Sequence, residues 1–293
     1  MTGAQRVTTV LQGGIPDHIP VMMHNFMLSA REAGFSMREF RSTAENMFRA
    51  MTQSCERYGL DGIFLDVDTS LLASACGADV VYPEDIPAVT KDAQPRSIEQ
   101  LIDEVAQVDL QNSDRMKLYL EAVHLLSGWA HERGIFLRAN ADQGPFSLAC
   151  LLVGMNEFLM ELLDEDYEED IIKLMEQTYR VSLQSHELCM QAGADGTSYG
   201  NSSEGCSVIS PAMFRKYAKP FETRFAADLK ARGIPAICHI CGRVEPILAD
   251  LAETGSIAYE IDASNSMVVV QKAAAGHIAV SGNLDPAMLC DAS

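Results

Sequence analysis

Residues 235–242 read Pro235-Ala236-Ile237-Cys238-His239-Ile240-Cys241-Gly242, and this stretch decides the fold. A short, nearly continuous run of apolar and small residues, opened by Pro and closed by Gly, suits a strand buried on both faces. A helical pattern precedes it over 211–232 and another follows over 244–253. The same alternation runs from end to end. Strands are expected at 19–23, 62–66, 134–139, 196–199, 235–240, 257–261 and 278–281, and helices also at 43–58, 115–133 and 166–192. Apolar strands separated by helices indicate a parallel sheet covered on both faces.

The junctions carry matching punctuation. Ser210-Pro211 is an N-cap followed by Pro at the first helical position. Gly193 and Gly233 stand just past helices, where a left-handed residue is often required. Residues 76–100, with Pro83, Pro87 and Pro95, are expected to form a long loop excursion after the second strand. The fold this predicts is a single (β/α)8 TIM barrel over 1–293. Seven strands are visible, and an eighth strand and helix would need roughly 40–50 further residues. The expectation is therefore a barrel that is C-terminally incomplete, with its first and last strands left as edges.

Acidic residues outnumber basic ones 41 to 22, which argues against nucleic acid or an anionic membrane as partner, since both require clustered Lys and Arg. No segment approaches the run of about 20 apolar residues that spans a bilayer, and the N-terminus has no secretion-signal pattern. A cytoplasmic location is expected. The eight cysteines are scattered through predicted helices and strands, and most read as buried reduced thiols.

Polar residues gather just past the strands: His24 and Asn25, Asp66 and Asp68, Asn140 and Asp142, Tyr199 and Asn201, His239 and Cys241, Asp262, and Asn283. Barrel enzymes place their chemistry at those strand ends, so His24, Asn25, Asp68, Asn140, Tyr199, Asn201 and Asn283 are candidate substrate-binding residues. His239 and Cys241 leave the same side of a strand, both are good zinc ligands, and Gly242 lets the chain turn away. On spacing alone the pair is equally a buried histidine and an inert thiol. Asp262, one strand later, can add an oxygen ligand, though catalytic zinc ordinarily takes three protein ligands. Asp66 and Asp68 read either as an acid–base pair or as loop caps.

Taken in order, Phe64-Leu65-Asp66, Gly144-Pro145-Phe146-Ser147-Leu148-Ala149, Ala192-Gly193-Ala194-Asp195, Ile209-Ser210-Pro211, His239-Ile240-Cys241-Gly242 and Gly282-Asn283-Leu284-Asp285-Pro286 resemble the uroporphyrinogen decarboxylase superfamily over essentially the whole chain. That superfamily has a decarboxylase branch and a branch of zinc-dependent corrinoid methyltransferases, the methylcobamide:coenzyme M type among them. The decarboxylases carry paired arginines after the first strand. Here that region offers one late Arg31. The resemblance therefore favours the methyltransferases, with His239, Cys241 and the acidic Asp262 at the metal. Their further cysteine falls beyond Gly282-Asn283-Leu284-Asp285-Pro286, so zinc is expected to be weak or absent in this 293-residue chain.

The function implied is methyl transfer between a corrinoid protein carrying methylcobalamin and a small thiol or tetrahydrofolate acceptor. The implied cofactors are Zn2+ and that corrinoid, with Asp66 and Asp262 as catalytic residues. The alternatives are a cofactor-free decarboxylase acting through Asp66 and a non-enzymatic corrinoid-binding barrel.

Overall fold

A computed structural model describes residues 1–91, 96–274 and 278–291. Pro95, in the expected loop excursion, and the side chain of Cys290 lie outside the described residues. Among the described residues nine strands occur in chain order: β1 Met22–Met23, β2 Gly62–Leu65, β3 Val80–Val81, β4 Val89–Thr90, β5 Phe136–Gln143, β6 Gly196–Gly200, β7 Ala236–Ile240, β8 Ala258–Ile261 and β9 Ala279–Ser281. Seven form one all-parallel sheet in the order β1-β2-β5-β6-β7-β8-β9, and β3 and β4 form a separate antiparallel ribbon. Each expected strand is present to within three or four residues at its ends.

The sheet is curled. Arg138 on β5 and Glu260 on β8 stand three strands apart in order, yet Arg138 Nη1 donates to Glu260 Oε2 at 2.6 Å. A flat sheet with strands about 4.8 Å apart would hold them far beyond hydrogen-bond reach. Side-chain alternation then separates inside from outside. Phe64, Arg138, His239 and Glu260 face the interior, and the register pairs Phe64 with Arg138 and His239 with Glu260. Leu65, Ala139, Tyr199 and Cys238 face the helices and join the apolar core.

Local sequence explains the helices that matter most for the site. Ser210 accepts from Met213 N–H with Pro211 at the first helical position, as its spacing predicted. Gly193 and Gly233 take φ values of +105° and +68° past their helices. At the bottom of the sheet the helix Gly3–Leu11 lies so close to the chain before β2 that a Cβ on Gly3 would stand 2.2 Å from Asp61 O.

The expected excursion over 76–100 is corrected in detail. It holds the β3–β4 ribbon and the start of the helix Ile98–Ala106, which Ser97 caps. The ribbon strands are two residues each, too short to show a periodicity. Among the described residues, no helix is long and apolar enough to cross a membrane.

Candidate active site

At the C-terminal end of β7 the chain brings His239 and Cys241 together, with Nε2 3.1 Å from Sγ. Gly242 turns the chain away at φ +71°. The loop over 201–209 lies directly on this segment. A Cβ on Gly205 would stand 2.2 Å from Cys241 O, Ser202 Oγ is 3.3 Å from Cys241 Sγ, and Cys206 N–H donates to Arg243 O. Only glycine permits that approach.

The other face of the His239 ring meets Glu260, with Nδ1 3.2 Å from Oε1. Glu260 is held in turn by Arg138, whose guanidinium lies 3.8 Å from the Phe64 ring centroid. Arg138 is 2% exposed, and its Nε and Nη2 have no partner among the described residues. The site is therefore a chain of contacts running from Phe64 through Arg138, Glu260 and His239 to Cys241. Burial opposes charge on His239, but the Cys241 sulfur and the Glu260 carboxylate outweigh it and raise the imidazole to about 10. Hydrogen bonding to His239 draws the Cys241 thiol down despite burial. Burial pushes Glu260 up, while Arg138 and His239 hold it well below the ordinary carboxylate range.

Composition of the donor set tests whether zinc fits. An imidazole and a thiol converge on one point, and a carboxylate sits on the far ring nitrogen of the histidine, the arrangement that orients metal-ligating histidines. Two donors therefore fit as part of a zinc site. No group of three or more His, Cys, Asp or Glu able to hold a metal occurs among the described residues. Asp262 is half-buried and accepts from Ser264 N–H at 2.7 Å. Its charge acts on both His239 and Cys241, but it does not complete a three-ligand cluster with them.

The other predicted residues divide. His24, on the rim after β1, is 2.7 Å through Nε2 from Asp66 Oδ2 and stacks 4.5 Å from the Phe64 ring. Asn140 Oδ1 accepts from Asp142 N–H, and Asn283 ties the backbone oxygens of Asp262 and Asn265. Four placements are corrected. Asn25 is buried with Nδ2 on Ser54 Oγ, between two helices. Asp68 is buried against Arg115 at 2.5 Å and accepts from Ser70; burial, and to a lesser extent the Asp66 charge, push its carboxyl up. Tyr199 faces outward, edge-to-face with His186 and Phe225. Asn201 is fully buried, with Nδ2 on Cys238 Sγ. The strand continues past its expected end through Gly200, so alternation turns Tyr199 to the helices.

Sequence reading missed Arg138 and Glu260. Each is a charged residue flanked by apolar ones within its strand, and such a group must find a partner. It placed Asp142 among the strand-end polar residues without giving it a role; Asp142 has φ +74°, accepts from Leu72 N–H at 2.7 Å and is raised to about 8, chiefly by burial.

Glu204, within the loop on Cys241, and Glu222, on the helix Lys219–Ala231, are two more buried carboxyls, 0% and 1% exposed. Tyr199 OH donates to Glu222 Oε2 at 3.1 Å, while both Glu204 oxygens lack a partner among the described residues. Burial, reinforced by Glu222, pushes Glu204 far up, and burial pushes Glu222 to about 7. The folded chain thus holds protons that unfolded glutamates release above about pH 4.3. Stability falls as pH rises from there; the share of Glu222 is complete above about 7, and that of Glu204, pushed further up, continues beyond it. Glu204→Gln is expected to flatten that slope and to raise stability at pH 8 by about 1–3 kcal/mol, read from urea unfolding at pH 5 and 8. An unchanged slope refutes the account.

A cavity of about 540 Å3 lies elsewhere, at the N-terminal ends of the strands beside Thr8, Phe136, Pro235 and Ile257. Chemistry in such folds belongs at the opposite face, where His239, Cys241, Asp66 and His24 stand.

A curled parallel sheet with its acid, imidazole and thiol groups at the C-terminal strand ends defines a TIM-barrel-like protein of the enzyme-bearing kind. The chain belongs to the uroporphyrinogen decarboxylase (URO-D) family, whose sequence pattern matches residues 2–293. A methylcobamide:CoM methyltransferase of Methanosarcina barkeri is 22% identical over 259 residues, covering 85% of this chain and 72% of that protein. A uroporphyrinogen decarboxylase of Syntrophotalea carbinolica is 26% identical over 258 residues, covering 87% and 72%. A methyltransferase from Methanosarcina mazei shares the fold with a TM-score of 0.87 at 20% identity, covering 97% of this chain and 83% of that one. Both branches of the family thus stand among its relatives.

Proposed function

We propose that this protein is a zinc-dependent methyltransferase that moves a methyl group between a corrinoid protein and a thiol or tetrahydrofolate acceptor. The observation that carries the reading is the convergence of His239 Nε2 and Cys241 Sγ with Glu260 on His239 Nδ1. A decarboxylase has no use for that arrangement. It needs paired arginines after the first strand, where this chain offers one late Arg31. Similarity to a methylcobamide:CoM methyltransferase supports the same branch.

Bound by His239 and Cys241, zinc would supply the positive charge that keeps an acceptor thiol deprotonated near neutral pH. The protein's own groups do the rest. Glu260 stands 3.2 Å from His239 Nδ1 and would favour the tautomer that turns Nε2 to the metal, and Arg138 keeps Glu260 ionised. His24 and Asp66 stand at the mouth, where acceptor and methyl donor would meet, and Asp262 would balance charge at its edge. A corrinoid protein would dock over this face of the barrel.

Zinc titration against a chromophoric chelator tests the reading. His239→Ala and Cys241→Ala are each expected to abolish competition by the chain. Glu260→Gln should weaken zinc 10–100-fold, the usual cost of losing a carboxylate behind a ligating histidine. Zinc affinity unchanged in both His239→Ala and Cys241→Ala would sink it.

A further inference from the structure

Outside the barrel, between the helices Ala44–Tyr58 and Asp114–Arg133, lies a cavity of about 270 Å3 onto which Arg38, Arg41 and Arg115 all converge. Buried Met47 and Leu71 give it an apolar floor, and the exposed Tyr82 of the ribbon turn stands at its rim. None of His24, Asp66, Arg138, His239 or Cys241 lines it, so it is separate from the candidate active site.

The charges there do not balance. Arg115 Nη2 binds Asp68 Oδ2 at 2.5 Å, and Arg38 Nε binds Glu84 Oε2 at 3.0 Å. Arg41 gives its donors to the carbonyls of Ile86 and Pro83, which fix its place without neutralising it. Among the described residues no carboxylate pairs with Arg41. The guanidiniums of Arg41 and Arg115 lie 5.7 and 5.1 Å from the Tyr82 ring centroid, so the two cations share one aromatic ring. Burial lowers the pKa of Arg41; Asp68 opposes that, and Arg115 and Arg38 lower it further. Three like charges against two carboxylates, in a chain whose net charge is −19, form a local cationic hollow in an acidic protein. An anion placed among them would relieve the repulsion, and an apolar group on the floor would add burial.

We infer that this cavity binds a small organic anion, its carboxylate, sulfonate or phosphate head between Arg38 and Arg41 and its apolar body over Met47 and Leu71. Its volume sits just below the range of about 300–1,000 Å3 typical of small-molecule sites, so the ligand is compact.

Benzoate is the probe, titrated calorimetrically at constant ionic strength beside benzamide and inorganic phosphate. Benzoate should bind saturably and about tenfold more tightly than phosphate, a difference of about 1.4 kcal/mol, and benzamide should not bind. Arg41→Gln and Arg38→Gln should each weaken benzoate about tenfold. Glu84→Gln removes the carboxylate that competes for Arg38 and should tighten it several-fold. Arg38 and Glu84 are exposed, so these two variants keep the test valid should Arg41→Gln loosen the ribbon. No saturable benzoate binding, phosphate as tight as benzoate, or equal affinity in Arg38→Gln and Glu84→Gln overturns the inference.

Discussion

Cys241→Ala is expected to lower methyl transfer from methylcobalamin to a small thiol on the order of 10^3-fold in kcat/KM. A free thiol with a pKa near 8.5 is only a few per cent thiolate at neutral pH, so losing its activation alone removes a factor of roughly 30. Misplacing the acceptor by an ångström adds about 10^2. Cys241→Ala takes away the sulfur that His239 Nε2 approaches at 3.1 Å and leaves the backbone grip of the 201–209 loop in place. Folding should therefore be little changed. His239→Ala should fall as far, because the two side chains serve one point. The double variant should be no worse than either single one, as groups acting as a unit are grossly non-additive. Transfer within tenfold of the unaltered protein in the double variant, with its fold intact by circular dichroism, would refute the proposed role. Retained transfer in Asp66→Ala would leave that role standing, since Asp66 touches His24 and not the His239–Cys241 pair.

Much of the scaffold was legible in the residues. Strands such as Ala236–Ile240 announce themselves because a parallel sheet buried on both faces must be apolar on both, and Gly193, Gly233 and Ser210 fix where helices stop and start. The β3–β4 ribbon was not legible, because two-residue strands held by Arg38 and Arg41 carry no period of their own. In the site, His239 and Cys241 were found from spacing at a strand end. The misplacements of Tyr199, Asn201, Asp68 and Asn25 share one cause. Position just past a strand says how far along the barrel a residue lies, while a single residue of phase decides whether it faces inward. Arg138 and Glu260 were within reach of the same logic run backwards, since a charge within a buried strand is tolerable only when paired. Their pairing crosses 122 residues of sequence and depends on the curl of the sheet, which no local pattern encodes.

That pairing sets the second large effect. Arg138→Leu is expected to destabilise the fold by about 3–5 kcal/mol, the usual result of removing one partner of a buried ion pair. For a chain of this size the loss would lower Tm by roughly 10 °C. Arg138 is almost wholly buried, and Glu260 is 19% exposed at its side chain, so the abandoned carboxylate is only partly rescued by water. The leucine would retain apolar contact with Phe64 but not the cation–π attraction. Arg138→Leu combined with Glu260→Leu should recover most of that stability, because replacing both charges by apolar groups removes the stranded ion. The same double variant should still bind zinc 10–100-fold more weakly, since His239 Nδ1 has lost its carboxylate. Stability and metal affinity would then move in opposite directions from the single to the double variant. If the double variant is as unstable as Arg138→Leu, the cost lies in packing against Phe64. If it recovers both stability and zinc, Arg138 and Glu260 support the barrel wall and have no part in orienting His239.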